Sequence, residues 1–196
     1  MNTYNKIYSE NKNVFGLKPT AILETALKVV SNKSIALDIG AGQGRDTIFL
    51  AKSGFAVDSI EKSDVAINYL KSLNNSNICP IQTRIEDFDI VEDRYDLINA
   101  INVLQFVEDE NIPNVTTKIK AGLKSGGVVV IASFTEEDPS FLEQSFKKYF
   151  AKGELKKLFS DFEIIFYREK LVDDNPHGGT PYPHQHGAVE VVARKR

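Results

Sequence analysis

Short apolar runs alternate with amphipathic segments along most of the chain. The runs have the length of buried strands, and the segments repeat apolar residues at helical spacing. Strands are predicted at 34–40, 55–61, 78–84, 95–102 and 126–134, with helices at 19–30, 45–54, 63–73 and 108–123. Because helices separate the strands, this alternation predicts an α/β fold with a mostly parallel sheet and helices on both faces.

The last part of the chain follows a different pattern. Two helices are predicted at 141–150 and 153–159, followed by strands at 162–169 and 188–194. No helical pattern separates these two strands, so they should pair antiparallel. Since the strand at 162–169 should run parallel to the earlier ones, the loop 170–187 is expected at the carboxyl edge of the sheet, where such sheets bind ligands.

Composition narrows the class of protein. The 196 residues are 42% hydrophobic and 26% charged, with a net charge of −3 and a single cysteine. These values are typical of one globular domain, and they favour neither nucleic acid nor a membrane as a partner. One cysteine cannot form an internal disulfide and the N-terminus is too polar for a signal peptide, so we expect a cytoplasmic protein. Nothing in the sequence predicts the oligomeric state.

The segment ALDIGAGQGRD carries the sharpest motif of the chain. It places Gly40, Gly42 and Gly44 between the first strand and a helix, where backbone can approach a nucleotide-like ligand closely. The spacing differs from the dinucleotide fingerprint Gly-x-Gly-x-x-Gly, because Arg45 stands where its third glycine would fall. Asp38 would repel a pyrophosphate but would attract a ligand that carries an ammonium and a sulfonium group.

Acidic residues follow the next strands of the predicted sheet. Glu61 ends the second strand, where a carboxylate can accept hydrogen bonds from both hydroxyls of a ribose. Asp87 follows the third strand and could accept from an adenine amine, with Phe88 as an apolar wall. The sequence therefore predicts a nucleoside site at the carboxyl edge of the sheet.

These motifs resemble those of class I S-adenosylmethionine-dependent methyltransferases over nearly the whole chain. LDIGAGQGR resembles the first motif of that family, DSIEKS its ribose-binding motif, RIEDF its adenine motif and LKSGG the turn before its fifth strand. Within the family, GQGRDTIFLAKSGFAVDSIEKS and FAKGELKKLFSDFEIIFYRE resemble the tellurite-resistance methyltransferases. The resemblance implies a Rossmann-like, seven-stranded sheet whose last strand is antiparallel.

The resemblance also implies a set of contacts with S-adenosyl-L-methionine. The glycine loop and Arg45 would line the methionine end, Glu61 the ribose, and Glu86 and Asp87 the adenine. The full predicted set is Asp38, Gly40, Ala41, Gly42, Gly44, Arg45, Glu61, Lys62, Glu86, Asp87, Ile101 and Asn102. At Glu61 the chain departs from the aspartate more usual in the family, and the longer side chain can still reach a ribose.

A second departure lies between the last two predicted strands. Tellurite-resistance methyltransferases carry an arginine-rich segment there, whereas this chain has DDNPHGGTPYPHQHG, which holds all three of its histidines. His177, His184 and His186 are therefore candidate catalytic residues that bind an anionic acceptor or take its proton. A metal site is an alternative, since His-x-His can offer two imidazoles to one ion, and a solvent-exposed turn is another.

The sequence thus predicts a single methyltransferase domain over 1–196 that acts on a small-molecule acceptor, such as a tellurite- or selenite-type oxyanion or a thiol. Residues 1–18 could form a lid over the site, and the segment TEEDPS at 135–140 could place a carboxylate near the substrate. Two alternatives remain at this point. One is a NAD-binding regulatory or dehydrogenase domain, and the other is a metal-binding protein that uses the histidine loop.

Overall fold

The fold is built on one seven-stranded sheet. The computed structural model describes residues 3–176, 180 and 182–196. The strands are β1 (Ile35–Ile39), β2 (Ala56–Glu61), β3 (Ile78–Gln82), β4 (Tyr95–Ile101), β5 (Leu123–Phe134), β6 (Glu163–Asp174) and β7 (His184–Arg194). They lie in the order β3-β2-β1-β4-β5-β7-β6. In the described part of the chain, no helix is long and apolar enough to cross a membrane.

The direction of the strands confirms the sequence prediction. The strands β1 to β5 pair with one another in parallel, whereas β7 is antiparallel to both β5 and β6. The strand β3 lies at one edge, as expected for a strand that contains Pro80 and so lacks one backbone donor. The carboxyl ends of the parallel strands consequently meet along one edge of the sheet.

Helices cover both faces of the sheet. They are α1 (Thr3–Glu10), α2 (Ala21–Leu27), α3 (Arg45–Lys52), α4 (Asp64–Ser72), α5 (Ile112–Gly122) and α6 (Glu154–Leu158). Leu23 of α2 and Leu50 of α3 belong to one buried cluster, and Ile119 of α5 and Leu155 of α6 belong to the other. Alternate residues of the central strands contribute to the two clusters, so β1 and β4 are buried on both sides, whereas the edge strands β3 and β6 are largely exposed or half-buried.

The hairpin of β6 and β7 is longer than the sequence predicts. Its backbone pairing continues from Lys170↔Ala188 to Asp174↔His184. The pairing of β7 with β5, in contrast, ends at Phe134↔Ala188. The paired residues 170–174 and 184–188, called the tip of the hairpin below, therefore project beyond the end of β5, and His184 and His186 lie on a strand rather than in the predicted loop.

The segment 141–150 is not the helix that its apolar spacing predicts. A single 3₁₀ turn, Pro139–Phe141, is followed by irregular chain. The backbone N–H groups of Lys147 and Lys148 donate to the carbonyl of Gln105, and that of Phe150 donates to Phe134 on β5. These tertiary hydrogen bonds replace the helical ones, which brings the segment onto the carboxyl edge of the sheet.

Gly44 serves the packing of α3. It is the N-cap residue of that helix and has a φ of 83°. A Cβ atom at this position would lie 2.4 Å from Cδ2 of Leu70 on α4. A side chain here would therefore be strained in its backbone and would also collide with a buried neighbour.

We predict that Gly44→Ala lowers the free energy of unfolding by roughly 2–4 kcal/mol, from the left-handed backbone and the collision together. Gly153→Ala is the matched control, since Gly153 is the N-cap of α6 with a φ of 76° and nothing near its missing Cβ. Gly153→Ala should lose only the unfolding free energy that the left-handed backbone accounts for. Urea denaturation measures both, and equal losses in the two variants would contradict the packing role of Gly44.

Candidate functional site

A cavity of about 850 Å³ opens at the carboxyl edge of the sheet. All the predicted cofactor contacts line it except Gly44 and Asp87. Gly44 faces α4 instead, as described above. Asp87 is exposed, and its backbone N–H donates to the carbonyl of Arg84 in a tight turn that directs its side chain into solvent. Glu86 lines the cavity and pairs with Arg84, so the acidic group at this end of the cavity is Glu86.

Glu61 fixes the glycine loop to the end of β2. Its Oε2 atom accepts a hydrogen bond from the N–H of Gly42 at 3.0 Å, and its Oε1 atom accepts one from Ser63 at 2.8 Å. The N–H groups of Gly40 and Ala41 donate to the carbonyl of Ile60. The carboxylate is only 7% exposed, and it lines the cavity. Each carboxylate oxygen can still accept a second hydrogen bond, so the pair suits the two hydroxyl groups of a diol such as ribose.

Asp38 is a buried carboxyl group at the end of β1. It is 2% exposed and accepts hydrogen bonds from the Thr47 hydroxyl and from the side-chain amide of Asn99. Burial, followed by the nearby charge of Asp46, raises the pKa of Asp38 to about 7. A cationic ligand in the cavity would favour its ionised form, because an opposite charge offsets the cost of burying a carboxylate.

Arg45 connects α3 to the chain that precedes α2. Its guanidinium group donates to the Thr20 hydroxyl at 2.6 Å, to the carboxylate of Asp46 and to the carbonyl of Phe15. Asp46 in turn accepts from the backbone N–H and the hydroxyl of Thr20. Arg45 therefore lines the cavity and also holds the neighbouring N-terminal segment in place.

The N-terminal segment forms one wall of the cavity. Tyr4 and Tyr8 of α1 both line it, and a Cβ at Gly42 would lie 3.0 Å from the hydroxyl oxygen of Tyr8. Burial, with a smaller contribution from Glu61, raises the pKa of the Tyr8 hydroxyl, which therefore stays protonated. The side chain of Gln43 accepts from Val14 and anchors the segment to the glycine loop.

Aromatic side chains form an apolar wall beside the end of β4. Phe106 packs edge-on against Tyr4 and against Phe146, with ring centroids 5.4 Å apart in each pair. Phe146 also packs against Phe134 at 5.0 Å, and the ammonium group of Lys62 lies 5.2 Å from the ring of Phe106. Sequence analysis missed Phe146, because it predicted a helix in that segment.

A buried carboxylate orients His186 at the mouth of the cavity. The Nδ1 atom of His186 lies 2.8 Å from Oδ2 of Asp138, and its ring stacks on Phe134 with centroids 4.4 Å apart. Asp138 also accepts from the backbone N–H groups of Ser140 and Gly187. Burial alone would raise the pKa of Asp138, but the hydrogen bonds from His186 and Ser140 outweigh it and hold that pKa below its usual value.

The three predicted histidines differ in position. His186 lines the main cavity together with Asp174. His184 lies outside that cavity and lines a shallow depression beside it, with its Nε2 atom 3.0 Å from Nε2 of His186. His177 lies outside the described residues. Sequence analysis allowed that a carboxylate from 135–140 could lie near the substrate. In the structure, Asp138 of this segment is buried and bonded to His186, and both features depend on tertiary contacts.

Comparison with known proteins agrees with this architecture. A family model described as tellurite resistance protein TehB matches residues 3–176. A Haemophilus influenzae protein named probable S-adenosyl-L-methionine-dependent methyltransferase TehB is 30% identical over 150 residues, covering 74% of this chain and 51% of that protein. The chain thus spans about half the length of this relative. Hemagglutinin 1 of Eikenella corrodens is 26% identical over 192 residues, covering 96% of the chain and 63% of that protein.

Solved structures show the same fold. The crystal structure of TehB from Haemophilus influenzae matches with a TM-score of 0.79 and 25% identity, over 98% of this chain and 67% of that one. A Burkholderia thailandensis 1,6-didemethyltoxoflavin-N1-methyltransferase, solved with that compound and S-adenosylhomocysteine, matches with a TM-score of 0.64 and 19% identity, over 89% and 78% of the two chains. At that identity the second match supports the fold alone. Because the family model covers nearly all of the sheet and the TehB structure superposes over almost the whole chain, this protein belongs to the TehB family.

Proposed function

We propose that the chain is an S-adenosylmethionine-dependent methyltransferase acting on a small-molecule acceptor. The observation that carries the proposal is the Glu61 carboxylate, which is buried at the end of β2 and hydrogen-bonded to Gly42. This arrangement offers acceptor oxygens to ribose hydroxyls beside a glycine loop at the start of a helix. The names of the TehB relatives support the same activity.

The charge around the glycine loop favours this cofactor over NAD. Asp38 lines the cavity below the loop, where its carboxylate would repel a pyrophosphate and attract the ammonium and sulfonium groups of S-adenosylmethionine. Arg45 occupies the position of the third glycine of a dinucleotide site, and its side chain is committed to Thr20 and Asp46. Calorimetry with S-adenosylmethionine and with NAD separates the two functions, since we expect heat of binding with the first only.

We place the acceptor between the aromatic wall and the His186–Asp138 pair. The aromatic wall and His186, which is bonded to Asp138, line the cavity on the side of β4 and β5. The N-terminal segment, which we propose as a lid, lines the cofactor side. Methyl transfer is an in-line displacement, so exclusion of water and positioning of the acceptor are the main contributions of the protein. An aromatic wall supplies both, and a cavity of this kind suits a small molecule.

The chemistry requires little from the protein beyond His186. A lone pair of the acceptor attacks the methyl carbon, the carbon–sulfur bond breaks, and its electrons remain on sulfur as S-adenosylhomocysteine forms. A thiolate or a selenium or tellurium oxyanion needs no base, and a protonated His186 would attract it. A neutral acceptor would lose its proton to the pair of imidazoles formed by His186 and His184, whose Nε2 atoms are 3.0 Å apart, because Nδ1 of His186 is engaged by Asp138.

The first prediction from the proposed function concerns cofactor affinity. Glu61→Ala should weaken binding of both S-adenosylmethionine and S-adenosylhomocysteine by roughly 1–3 kcal/mol, since both share the ribose that the carboxylate is proposed to hold. Glu92→Ala removes an exposed carboxylate and is the matched control. Calorimetry measures the affinities, and wild-type affinity of Glu61→Ala for both ligands would show that the ribose assignment is wrong.

The second prediction concerns pH. The raised pKa of Asp38 means that the folded protein holds this proton more tightly than the unfolded chain. The associated stabilisation is complete below a pH of about 4 and is lost as the pH rises through about 7. In Asp38→Asn this loss should disappear, so the unfolding free energy of the wild type should fall more steeply with pH than that of the variant.

Asp38 should also affect ligand binding near its raised pKa of about 7. Because ionised Asp38 favours a cationic cofactor, wild-type affinity for S-adenosylmethionine should increase from about pH 6 to about pH 8 more than that of Asp38→Asn. If wild type and Asp38→Asn showed the same pH dependence of unfolding free energy, and also the same pH dependence of S-adenosylmethionine affinity, the role assigned to this carboxyl group would be wrong.

The third prediction concerns the acceptor side. His186→Ala should lower the methyl-transfer rate at least ~10-fold, the low end for losing a positioned acid or base, while cofactor affinity stays near the wild-type value. Asp138→Asn should give a smaller loss and an altered pH–rate profile, because the amide no longer fixes the His186 tautomer.

Gln185→Ala is the matched control for these variants. Gln185 lies between the two histidines on β7, is exposed and bonds to Asp173 on the neighbouring strand. Release of S-adenosylhomocysteine with an acceptor found by screening measures the rates. If His186→Ala turned over like Gln185→Ala, then His186 would have no part in the reaction.

A further inference from the structure

We propose that the tip of the β6–β7 hairpin is a binding site for a zinc-like divalent cation. The ligands are Nε2 of His184, Nε2 of His186 and a carboxylate oxygen of Asp174. Asp174 is the register partner of His184, and His184 and His186 lie on the same face of β7 because they are two residues apart. One ligand atom from each of the three residues falls within 4.8 Å of the others.

The hydrogen bonds of the two imidazoles fix where their protons lie. Nδ1 of His184 is 3.0 Å from the carbonyl oxygen of Tyr182, and Nδ1 of His186 is 2.8 Å from the Asp138 carboxylate. A carbonyl oxygen and an ionised carboxylate only accept, so each Nδ1 must carry a proton. When both rings are neutral, each Nε2 therefore presents a lone pair rather than a hydrogen.

These two lone pairs face each other. The two Nε2 atoms are 3.0 Å apart, which is a hydrogen-bond distance. Neither neutral ring can donate in this arrangement, so a cation has to lie between the nitrogens. A proton shared by the rings and a metal ion bound by both are the two ways to supply it.

The hydrogen-bond partners of the two rings favour a metal ion over a shared proton. Histidines that bind metals almost always donate their other ring N–H to a carboxylate or a backbone carbonyl, which orients the ring and increases its basicity. His186 has the carboxylate of Asp138 in this role, and His184 has the carbonyl of Tyr182. Asp138 is itself buried and is held by Ser140 and Gly187, so the orientation of His186 is rigid.

The distances require little adjustment. With Zn–N bonds of about 2.05 Å and tetrahedral angles, two ligand nitrogens would be roughly 3.3 Å apart. The observed 3.0 Å is within a few tenths of an ångström of that value. A carboxylate oxygen of Asp174 already lies within 4.8 Å of a ring nitrogen of each histidine. Two imidazoles and one carboxylate also form a ligand set found in catalytic zinc sites.

The position of the site connects it with the acceptor. Asp174 and His186 line the main cavity, whereas His184 lies behind them. Three protein ligands leave one tetrahedral position, and we infer that it opens toward the space assigned to the acceptor. This step rests on the proposed function. A soft anion such as a thiolate would bind there, already deprotonated, with its remaining lone pairs available to attack the methyl group.

Metal titration of the full chain tests the site directly. After treatment with EDTA, wild-type protein should bind one Zn²⁺ or Co²⁺ per chain by calorimetry, and Co²⁺ should give the visible absorption of a tetrahedral site. His184→Ala and Asp174→Ala should each weaken binding more than ~10-fold, and Asp138→Asn by roughly 10- to 100-fold. Asp173→Ala is the matched control, since the Asp173 side chain bonds to Gln185 instead, and its binding should be unchanged.

Two further measurements show which of three claims is wrong: the metal site, its open coordination position or the proposed function. Addition of 2-mercaptoethanol to the Co²⁺ protein should produce a near-ultraviolet thiolate charge-transfer band, and its absence would overturn the open position. S-adenosylhomocysteine affinity of the same samples should be equal in all variants. Retained cofactor binding without stoichiometric metal, or equal metal binding in His184→Ala and wild type, would overturn the metal site alone. Metal binding without cofactor binding would overturn the proposed function instead.

Discussion

The carboxylate of Asp138 fixes the side of the cavity that carries His186. It accepts hydrogen bonds from Ser140 in its own turn, from Gly187 on β7 and from Nδ1 of His186. The chain that follows β5 is thereby joined to the hairpin that projects beyond it. Gly187 permits this close approach, because a Cβ there would lie 2.3 Å from the backbone nitrogen of Asp138. These charge-assisted hydrogen bonds offset the free-energy cost of burying the carboxylate. The bond to Nδ1 also fixes the tautomer of the His186 imidazole.

A second buried carboxylate acts in the same way on the cofactor side. Glu61 accepts from Gly42 and Ser63 and so holds the glycine loop against β2. Both carboxylates lie at the carboxyl edge of the sheet, where loops from successive parallel strands converge. Glu61 lines the cavity itself, whereas Asp138 acts through His186, and the aromatic wall of Phe106, Phe134 and Phe146 lines the same cavity.

Sequence patterns predicted the structure around the glycine loop better than the structure around the histidines. The strands and the glycine loop follow from local periodicity and turn chemistry, and the position of Glu61 follows from the end of β2. The segment around Phe146 was predicted as a helix, because its apolar spacing carries no information about the carbonyl of Gln105 that captures its backbone. Gly44 was assigned to the cofactor, since a loop glycine needed for packing on Leu70 has the same appearance in the sequence.

The histidines show the limit of sequence analysis most clearly. The pattern His-x-His predicted that two imidazoles share a face, which the strand geometry confirms. It could not predict the partner of each ring, because Asp138 is 48 residues away from His186 along the chain. The difference between a solvent-exposed turn and a site with two converging nitrogens depends on that long-range contact.

The tautomer of His186 is therefore the property to measure. The chain has only three histidines, so ¹H–¹⁵N correlation spectra of the imidazoles can be assigned with His184→Ala and His186→Ala variants. We expect the neutral ring of His186 to carry its proton on Nδ1, toward Asp138, with Nε2 facing His184, and we expect Asp138→Ala to abolish this preference. A neutral His186 ring with its proton on Nε2 would contradict the account.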